Sequence, residues 1–391
     1  MAFKIVQSEE MDQVRDLWNY SFEKYDEPFF KWYFHYYCGQ ENTVVGGFNE
    51  LGQMQNMLHL NPYLIKLRNK LWDMPYLVGV ATAPEARGQH LFRPLLQYTC
   101  QLLNREDVPF VFLMPIEAGI YLPYEFSYCY YRHSYNWSLD QLKLPAAGRE
   151  LQVVRKPLNQ AQELPGLYAE LTASWNGVPV RDGAQWEKLL TVHQAEQVCC
   201  AIVYKAGRPS GYLLYKLEQD TFHILELLAQ DFPSRNRLLL YAAQHKSEAK
   251  RITWLAEPWD KTYLQLPQQA MSGSLQPFMM ARCINAAQAL LAHRPQEPFL
   301  ASIVLELTDS LLEENNWQLH CQVVMDHLEL SQTKLPPDIT MDMGAFTQIY
   351  FGTFTATELA EAGRIKVHNA AQLAALDKLF PKCRNYINEY F

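Results

Sequence analysis

The first third of the chain alternates between two hydrophobic periods, one typical of helices and one of strands. A short strand at 3–7 precedes Ser8, the expected N-cap of a helix whose apolar residues recur at helical spacing over 11–22. Further along, the pattern predicts three extended segments, one amphipathic helix and one compact buried strand, near 43–48, 53–60, 76–82, 91–103 and 110–114. The predicted order is strand, helix, several antiparallel strands, helix and strand.

A similar unit recurs in the middle of the chain. Strands are predicted at 201–204 and 211–216, on either side of the hairpin signal Ala-Gly-Arg-Pro-Ser-Gly. A third strand, a helix and a fourth strand follow, near 222–228, 237–246 and 251–255. The segment between the third strand and the helix contains no glycine. We therefore expect this copy to have lost any phosphate-binding element and to serve as a scaffold.

The last third of the chain has a different pattern of hydrophobic and polar residues. Alternating apolar and polar residues predict two half-buried antiparallel strands, near 301–307 and 317–323. Helices follow, and their expected boundary signals are an Asp342 N-cap, a stop at Gly352, a Thr355–Glu358 capping box, a stop at Gly363 and a last helix over 369–379. The chain ends in an apolar tail over 383–391, and we expect this tail to dock on the protein.

Composition limits the classes of partner. A chain of 391 residues is too long for one ordinary core, so two or three domains are expected. The net charge of −8 argues against a nucleic-acid partner. No apolar run approaches a membrane span, no metal-ligand spacing is present, and the eight cysteines form no C-x-x-C pair. We predict a cytosolic protein with reduced cysteines and with neither a metal nor a membrane partner.

The segment from Val78 to Phe92 carries the clearest candidate chemistry. A strand runs into a turn and then directly into an amphipathic helix. Unpaired N–H groups at such a helix start carry partial positive charge and can bind a pyrophosphate, and Arg87 adds a charge suited to phosphate. An ordinary strand–loop–helix connection is the alternative interpretation of this segment.

The same segment resembles the acetyl-CoA loop of the Gcn5-related N-acetyltransferases (GNATs), whose pattern is V-A-T-x-P-x-x-R-G-x-G-x-G/A. This sequence supplies Val80-Ala81-Thr82, Pro84, Arg87 and Gly88, and it departs from the pattern at His90 and Phe92. If the turn requires a positive φ at His90, the side chain would crowd the pyrophosphate. The resemblance implies acetyl-CoA as the acyl donor, bound by Val80, Ala81, Thr82, Arg87, Gly88, His90, Leu91, Glu117 and Gly119.

A second motif, Pro115-Ile116-Glu117-Ala118-Gly119-Ile120-Tyr121, follows the strand at 110–114. It is similar to a segment of the enhanced intracellular survival (Eis) acetyltransferases, and no gap is needed from Val80 to Tyr121. The closing segment from Glu358 to Phe391 also resembles that subfamily. The resemblance implies an α+β (α/β) fold, with two tandem GNAT-like domains followed by a sterol-carrier-protein-like α/β domain. The expected boundaries are 1–145, 146–284 and 285–391, and the expected assembly is a homo-oligomer, a hexamer.

The resemblance also assigns catalytic roles. It implies Tyr121 as the general acid, a backbone amide near Val80 as the group that polarises the thioester carbonyl, and the terminal carboxylate of Phe391 as the general base. The implied acceptors are primary amines of small cationic molecules, such as aminoglycosides and polyamines, or lysine side chains. A packed core tyrosine is the alternative for Tyr121.

Acidic and aromatic residues near the first helix are the candidates for acceptor binding. Glu23, Asp26 and Trp32 could form a wall for a cationic substrate, and a solvated helix end is the alternative interpretation of the acidic pair. For the whole chain, the rival function is a catalytically degenerate GNAT in which His90 has abolished cofactor binding. The chain would then act as a lipid-binding or assembly module through its C-terminal domain.

Overall fold

The computed structural model of the protein describes residues 1–140, 142–265 and 273–390. The strands in chain order are β1 (Ala2–Ile5), β2 (Thr43–Phe48), β3 (Met54–Asn61), β4 (Leu64–Leu67), β5 (Lys70–Asp73), β6 (Tyr76–Thr82), β7 (Phe110–Leu113), β8 (Ser127–Tyr128), β9 (Tyr131–Ser138), β10 (Gln152–Lys156), β11 (Val178–Pro179), β12 (Cys199–Lys205), β13 (Arg208–Glu218), β14 (Thr221–Ala229), β15 (Arg251–Ala256), β16 (Ser274–Pro277), β17 (Met280–Cys283), β18 (Phe299–Thr308), β19 (Trp317–Met325), β20 (His327–Gln332), β21 (Ile339–Asp342) and β22 (Lys366–Val367). The α-helices are α1 (Met11–Ser21), α2 (Pro28–Tyr36), α3 (Phe92–Arg105), α4 (Leu164–Leu171), α5 (Gly183–Ala195), α6 (Phe232–Ala242), α7 (Ala286–Ala292), α8 (Met343–Phe351), α9 (Ala356–Glu361) and α10 (Ala371–Leu379).

The chain divides into two compact units, which are described separately. The first contains Met1–Tyr130, Asn176–Pro179 and the chain from Phe278 onward, and the second contains Tyr131–Trp175 and Val180–Pro277. Within the described residues of the first unit, one sheet has the strand order β1-β2-β3-β6-β7-β17-β8. Neighbouring strands in it are antiparallel except β6 and β7, which run parallel.

Helix α3 packs on this sheet through the face that the sequence predicts. Leu95, Leu96, Cys100 and Leu103 are fully or almost fully buried, in one core with Val111 of β7 and other strand residues. The predicted strands at 43–48 and 76–82 coincide with β2 and β6. The first helix differs slightly from expectation, because Gln7 rather than Ser8 is the N-cap and residues Ser8–Glu10 form a 3-10 turn before α1.

The first unit also contains a second layer of structure built from the last third of the chain. A five-stranded sheet has the order β20-β19-β18-β21-β22 in the described residues, and α8 is buried along its whole length. The predicted helix signals are confirmed: Asp342 caps α8, Gly352 ends it with a φ of 69°, and Thr355 with Glu358 forms a capping box on α9. Gly363, with a φ of 67°, follows the end of α9.

The second unit contains a sheet of order β10-β12-β13-β14-β15-β9-β16 in its described part, with α6 packed against it. The β12–β13 hairpin turns at Ala206 and Gly207, which both have positive φ, so the strands are longer than predicted. The predicted helix over 237–246 is displaced. Helix α6 begins five residues earlier, at Phe232, because Asp231 caps it by accepting a hydrogen bond from the Ser234 N–H at 2.9 Å.

Candidate active site

The central sheet of the first unit opens between β6 and β7. Among the described residues, these parallel strands are in register at one pair only, Tyr76 opposite Phe112, whose rings stack with centroids 4.6 Å apart. Beyond that pair the described parts of β6 and β7 share no ladder, although each strand continues its pairing on its other side. The carboxyl-terminal halves of β6 and β7 therefore flank a gap whose backbone edges can hydrogen-bond to an inserted extended ligand.

A β-bulge lies on β6 beside this gap. Met57 pairs with Ala81 and His59 with Val78, so Gly79 and Val80 together oppose Leu58 alone. Gly79 has a φ of 59°, and a Cβ built there would lie 2.6 Å from the Trp18 ring, so glycine is required at this position. A bulge leaves one residue out of the ladder and re-aims the backbone. The main chain at Gly79 and Val80 therefore departs from the regular ladder beside the gap.

The loop after β6 presents a run of unpaired backbone donors. In the part of the chain that the structure describes, the amides from Gly88 through Arg93 donate no hydrogen bond, and no side chain caps α3. Gly88 and His90 have φ values of 77° and 54°, and these turns bring the loop to the start of the helix. Unpaired amides at a helix N-terminus form an anion site. The arrangement fits a pyrophosphate.

His90 has the positive φ that the sequence analysis considered for this turn. Its φ is positive, in a region that favours glycine, and its side chain is exposed. The loop is tied to the sheet one residue later, because Asn56 Nδ2 donates to the Leu91 carbonyl at 2.9 Å. The turn therefore keeps a positive φ at this position although the residue is a histidine, which is strained there.

The other predicted loop residues surround the same opening. Thr82 and Val80 are half-buried and Ala81 is buried on β6. Arg87 is exposed; its Nε donates to the Thr82 carbonyl at 3.3 Å, and its guanidinium carbon lies 5.8 Å from the centre of the Tyr20 ring. An exposed guanidinium held at the mouth of the loop is available to a phosphate.

Tyr121 lies on the β7 side of the opening. It sits between two short 3-10 turns, and Glu117 accepts a hydrogen bond from the Gly119 N–H at 3.1 Å to cap the first of them. The Tyr121 ring packs edge to face on Phe92, with centroids 5.6 Å apart. The ring is buried, and its hydroxyl makes no hydrogen bond within the described residues.

Burial raises the pKa of Tyr121 to about 12. The hydroxyl therefore stays protonated through the neutral range and keeps a proton to give. Phe92 replaces the small residue of the loop pattern, and it supplies the apolar surface that covers this ring.

The C-terminal tail reaches the other end of the same strand pair. The residues from Asn385 to Glu389 are buried, and the Tyr76 hydroxyl donates to the Tyr390 carbonyl at 3.4 Å. Burial raises the pKa of Tyr76, and the charges of Glu389 and of neighbouring tyrosines, Tyr121 among them, raise it further. The tail thus comes within electrostatic range of the site. Phe391, the predicted base, lies outside the described residues.

The predicted acceptor wall is distributed over three environments. Glu23 accepts a hydrogen bond from Trp18 Nε1 at 2.9 Å, and Trp18 lies against Gly79. The Trp18 side chain therefore connects Glu23 to the bulge. Asp26 is exposed in the turn before α2. Trp32 is buried and packs on neighbouring aromatic rings of α2 and the residue that follows it. Acceptor binding by these residues stays a prediction.

The corresponding helix start in the second unit is closed. The Asp231 carboxylate accepts the Ser234 N–H of α6 and pairs with Lys205. A carboxylate on the helix N-terminus takes the place of an anion and repels a second one. This geometry agrees with the loss of the phosphate-binding element that the sequence predicts for the middle of the chain.

Comparison with known protein families assigns the domains. An acetyltransferase (GNAT) domain model matches residues 2–129, a second acetyltransferase (GNAT) domain model matches residues 177–283, and a sterol carrier protein domain model matches residues 287–388. The chain is an acetyltransferase. The predicted fold class, two GNAT domains followed by a sterol-carrier-protein-like domain, is confirmed. The gap, bulge and loop described above all belong to the first GNAT domain.

Solved structures share the fold along the whole length of this acetyltransferase. A conserved protein of unknown function from Enterococcus faecalis V583 has a TM-score of 0.89 at 19% identity, covering 100% of this chain and 99% of its own. A GCN5-related N-acetyltransferase from Anabaena variabilis has a TM-score of 0.85 at 20% identity, and Eis1 from Mycobacterium abscessus one of 0.76 at 16% identity; each comparison covers 100% of both chains. No curated protein matches the sequence.

Two further searches of the described residues concern other ligands. No helix there is long and apolar enough to cross a membrane. No group of three or more His, Cys, Asp or Glu residues in the same part of the chain could hold a metal ion. The eight cysteines are all free.

Sequence reasoning missed three parts of the site: the single register pair between β6 and β7, the Phe92–Tyr121 packing, and Tyr76. The bulge left one signal, since Gly79 interrupts an otherwise apolar strand and glycine inside a strand often marks a bulge. Tyr76 has no such signal in the sequence, because it is one of 23 tyrosines and its hydrogen bond is made to a residue more than 300 positions away.

Proposed function

We propose that this acetyltransferase moves an acetyl group from acetyl-CoA to a primary amine of a small cationic molecule, and that it is an Eis-like enzyme. The observation that carries the proposal is the run of unpaired amides from Gly88 through Arg93 at the start of α3. These donors lie at the end of the gap between β6 and β7. A pyrophosphate with an extended arm is the ligand that fits both features.

The donor would lie along the gap. Its pyrophosphate would accept from the Gly88–Arg93 amides, with Arg87 supplying a positive charge, and its arm would extend between β6 and β7. The thioester would then stand near the bulge at Gly79 and Val80, where the main chain is outside the ladder. A backbone N–H there polarises the thioester carbonyl and stabilises the oxyanion that forms from it.

The chemistry needs two proton transfers. The neutral amine attacks the thioester carbonyl carbon, a carbon–nitrogen bond forms, and collapse of the tetrahedral intermediate breaks the carbon–sulfur bond. Tyr121 gives its proton to the departing thiolate, and its raised pKa keeps the hydroxyl protonated at neutral pH until that transfer. The proton of the amine passes to a base, for which we propose the terminal carboxylate of Phe391. The buried tail and the Tyr76–Tyr390 hydrogen bond support that assignment.

The acceptor would be held by carboxylates. Glu23, next to Trp18, and the exposed Asp26 provide negative charge on the α1–α2 side. Trp32 belongs to the same aromatic cluster. The acceptor that we propose is therefore a polyamine, an aminoglycoside or a lysine side chain. The net charge of −8 favours cations. A hexameric assembly, action in the cytosol and domain boundaries at 145/146 and 284/285 belong to the same proposal.

Calorimetric titration with acetyl-CoA tests this function, using a Gly88→Val variant as the matched control. Gly88 has a φ of 77°, so valine distorts the loop and should abolish binding, while the wild-type chain binds one equivalent. Absence of binding by the wild-type chain at high micromolar acetyl-CoA would contradict the proposal. Binding of a lipid instead would support the rival function of a degenerate, lipid-binding chain.

A further inference from the structure

A buried charge network lies beneath the loop that carries Tyr121. Arg282 of β17 is completely buried, and its Nη2 donates to Asp309 Oδ1 at 2.5 Å. Its Nη1 donates to the Tyr124 carbonyl and lies 3.5 Å from Glu125 Oε2. One guanidinium therefore joins two residues of the Tyr121 loop to the first residue after β18 in the sterol carrier protein domain.

Glu125 is the link between the loop and that domain. Its Oε1 accepts the Ser310 N–H at 2.9 Å, and the Ser310 hydroxyl donates to the Pro123 carbonyl at 3.5 Å. Glu125 itself has a φ of 62°, which ends the short 3-10 turn that starts at Tyr121. A residue whose backbone is left-handed and whose side chain contacts both Ser310 and Arg282 fixes the path of that turn.

The network is not arranged for stability alone. Arg282 Nε and Glu125 Oε2 are buried and make no hydrogen bond in the described structure, and burial raises the pKa of Glu125 although Arg282 opposes the shift. Buried atoms without a hydrogen bond make a buried ion pair a weak source of stability, and replacing such a pair by apolar residues of similar volume is often neutral or stabilising. A function in positioning accounts for retaining them.

The anchoring turn is held by several hydrogen bonds. Asp309 accepts the Leu311 and Leu312 N–H groups at 2.8 and 2.9 Å, and Asn315 Nδ2 donates to its second oxygen at 2.9 Å. Arg93, in the first turn of α3, donates to the Ser310 carbonyl at 3.0 Å. The Asp309–Ser310 turn thus contacts both sides of the opening, the start of α3 and the loop after Tyr121.

We propose that Glu125, paired with Arg282, is a positioning residue that holds the Tyr121 hydroxyl in register with the reacting thioester. The Asp309–Ser310 turn of the sterol carrier protein domain is the anchor. The C-terminal domain then contributes to acetyl transfer at this turn as well as through its tail. The inference rests on the proposed function for its catalytic part and on the geometry of the loop for the rest.

The test compares Glu125→Ala and Glu125→Gln. Alanine removes both the Ser310 contact and the charge, while glutamine keeps an acceptor for the Ser310 N–H. We expect kcat to fall by about tenfold to a hundredfold in the alanine variant and less in the glutamine variant, with KM for acetyl-CoA changed by about twofold at most. The control is Glu226→Gln, which alters another buried ion pair, the one with Arg181 in the second unit, and should leave kcat unchanged.

A double-variant cycle separates positioning from general loss of structure. If Glu125 acts through Tyr121, then Glu125→Ala should have no further effect on kcat in a Tyr121→Phe background. Multiplicative losses in the double variant, or wild-type kcat in both Glu125 variants, would overturn the proposal. The glutamine variant keeps the test open if the alanine variant does not fold.

The ionisation of Tyr121 gives a readout that does not need turnover. The phenolate absorbance that is lost on Tyr121→Phe reports this residue, and loosening the loop should admit water and lower its pKa from about 12. An unchanged titration in Glu125→Ala would overturn the positioning role even if the wild-type chain releases no thiol with any amine. Absence of thiol release from the wild-type chain would overturn the proposed function, independently of the result of this titration.

Discussion

The hydroxyl of Tyr76 donates a hydrogen bond to the main-chain carbonyl of Tyr390 at 3.4 Å. Tyr76 is the point where β6 and β7 meet before they separate, and Tyr390 is the last residue that the structure describes. Tyr390 therefore lies beside the gap in which we propose that the donor binds. This contact connects the tail to the site through one side chain, and its consequences can be measured.

Extending the chain at its C-terminus should inactivate the enzyme. A tag fused after Phe391 converts the terminal carboxylate into an amide, which cannot accept a proton from the amine, while the Tyr76–Tyr390 contact is unaffected. We expect kcat to fall by at least about a hundredfold, measured by thiol release from acetyl-CoA. The same tag at the N-terminus is the control, and full activity of the C-terminally tagged protein would remove Phe391 as the base.

Tyr121→Phe should separate chemistry from binding. The substitution keeps the ring contact with Phe92 and removes the proton donor, so kcat should fall by about 10²–10⁴-fold. The Kd for acetyl-CoA, measured by calorimetry, should be unchanged. Tyr128→Phe, at a half-buried tyrosine of β8, is the matched control. A Tyr121→Phe enzyme with wild-type kcat would show that another group protonates the thiolate.

His90→Gly should stabilise the loop. His90 has a φ of 54°, where an L side chain is strained by about 1–2 kcal/mol, and the greater chain entropy of glycine offsets part of the gain. We expect the free energy of unfolding to rise by about 0.5–1 kcal/mol and acetyl-CoA to bind at least as tightly. Gln89→Gly, at the neighbouring position, lacks the positive φ and should lower stability instead. A less stable His90→Gly protein would contradict this account of the turn.

Acetyl-CoA should bind once per chain. The start of α6 in the second GNAT domain is occupied by the Asp231 carboxylate, which an added phosphate would have to displace. Removing the cap with Asp231→Ala should lower the free energy of unfolding by about 1 kcal/mol and leave the calorimetric stoichiometry at one. A stoichiometry of two in the wild-type chain would show that the second domain also binds the donor.

Acid should destabilise the first unit through His59. This residue is fully buried and lies against Gly79, with the Tyr33 hydroxyl 2.9 Å from its Nδ1, and burial lowers its pKa to about 3. Below about pH 6.5 the unfolded chain binds a proton that the folded chain does not, so stability falls as the pH falls towards 3.

Between about pH 7 and pH 5 the contribution of His59 amounts to about 2 kcal/mol in the free energy of unfolding. Urea unfolding of the wild-type chain should show this loss, and a His59→Gln chain should show a correspondingly smaller one. Equal losses in the two proteins would mean that His59 does not stay neutral when folded.

The local elements of this fold could be predicted from the sequence because their signals are local. Leu95, Cys100 and Leu103 mark one face of α3, and Asp342 with Gly352 marks both ends of α8. The start of α6 was predicted five residues too late, because the hydrophobic pattern gives no weight to the cap at Asp231. Boundaries depend on single hydrogen bonds, which periodicity does not report.

The site could be predicted only in part. The loop at Arg87 and Gly88 and the acid candidate at Tyr121 follow a motif, whereas the network around Glu125 depends on Arg282 and Asp309, which lie more than 150 residues further along the chain. Arg282 finds its charged partners, Glu125 and Asp309, far from it in the sequence. Contacts of this kind come from the packing of the C-terminal domain on the first one, and a single sequence carries no pattern for them.

Steady-state release of the CoA thiol from acetyl-CoA in the presence of a polyamine or an aminoglycoside tests the central claim most directly, with the acetylated amine identified by mass spectrometry. The wild-type chain should release thiol only when both substrates are present, saturably in each, and the Gly88→Val chain should release none above spontaneous hydrolysis. If the wild-type chain releases no more thiol than the Gly88→Val chain with any of these amines, it is not the acetyltransferase proposed.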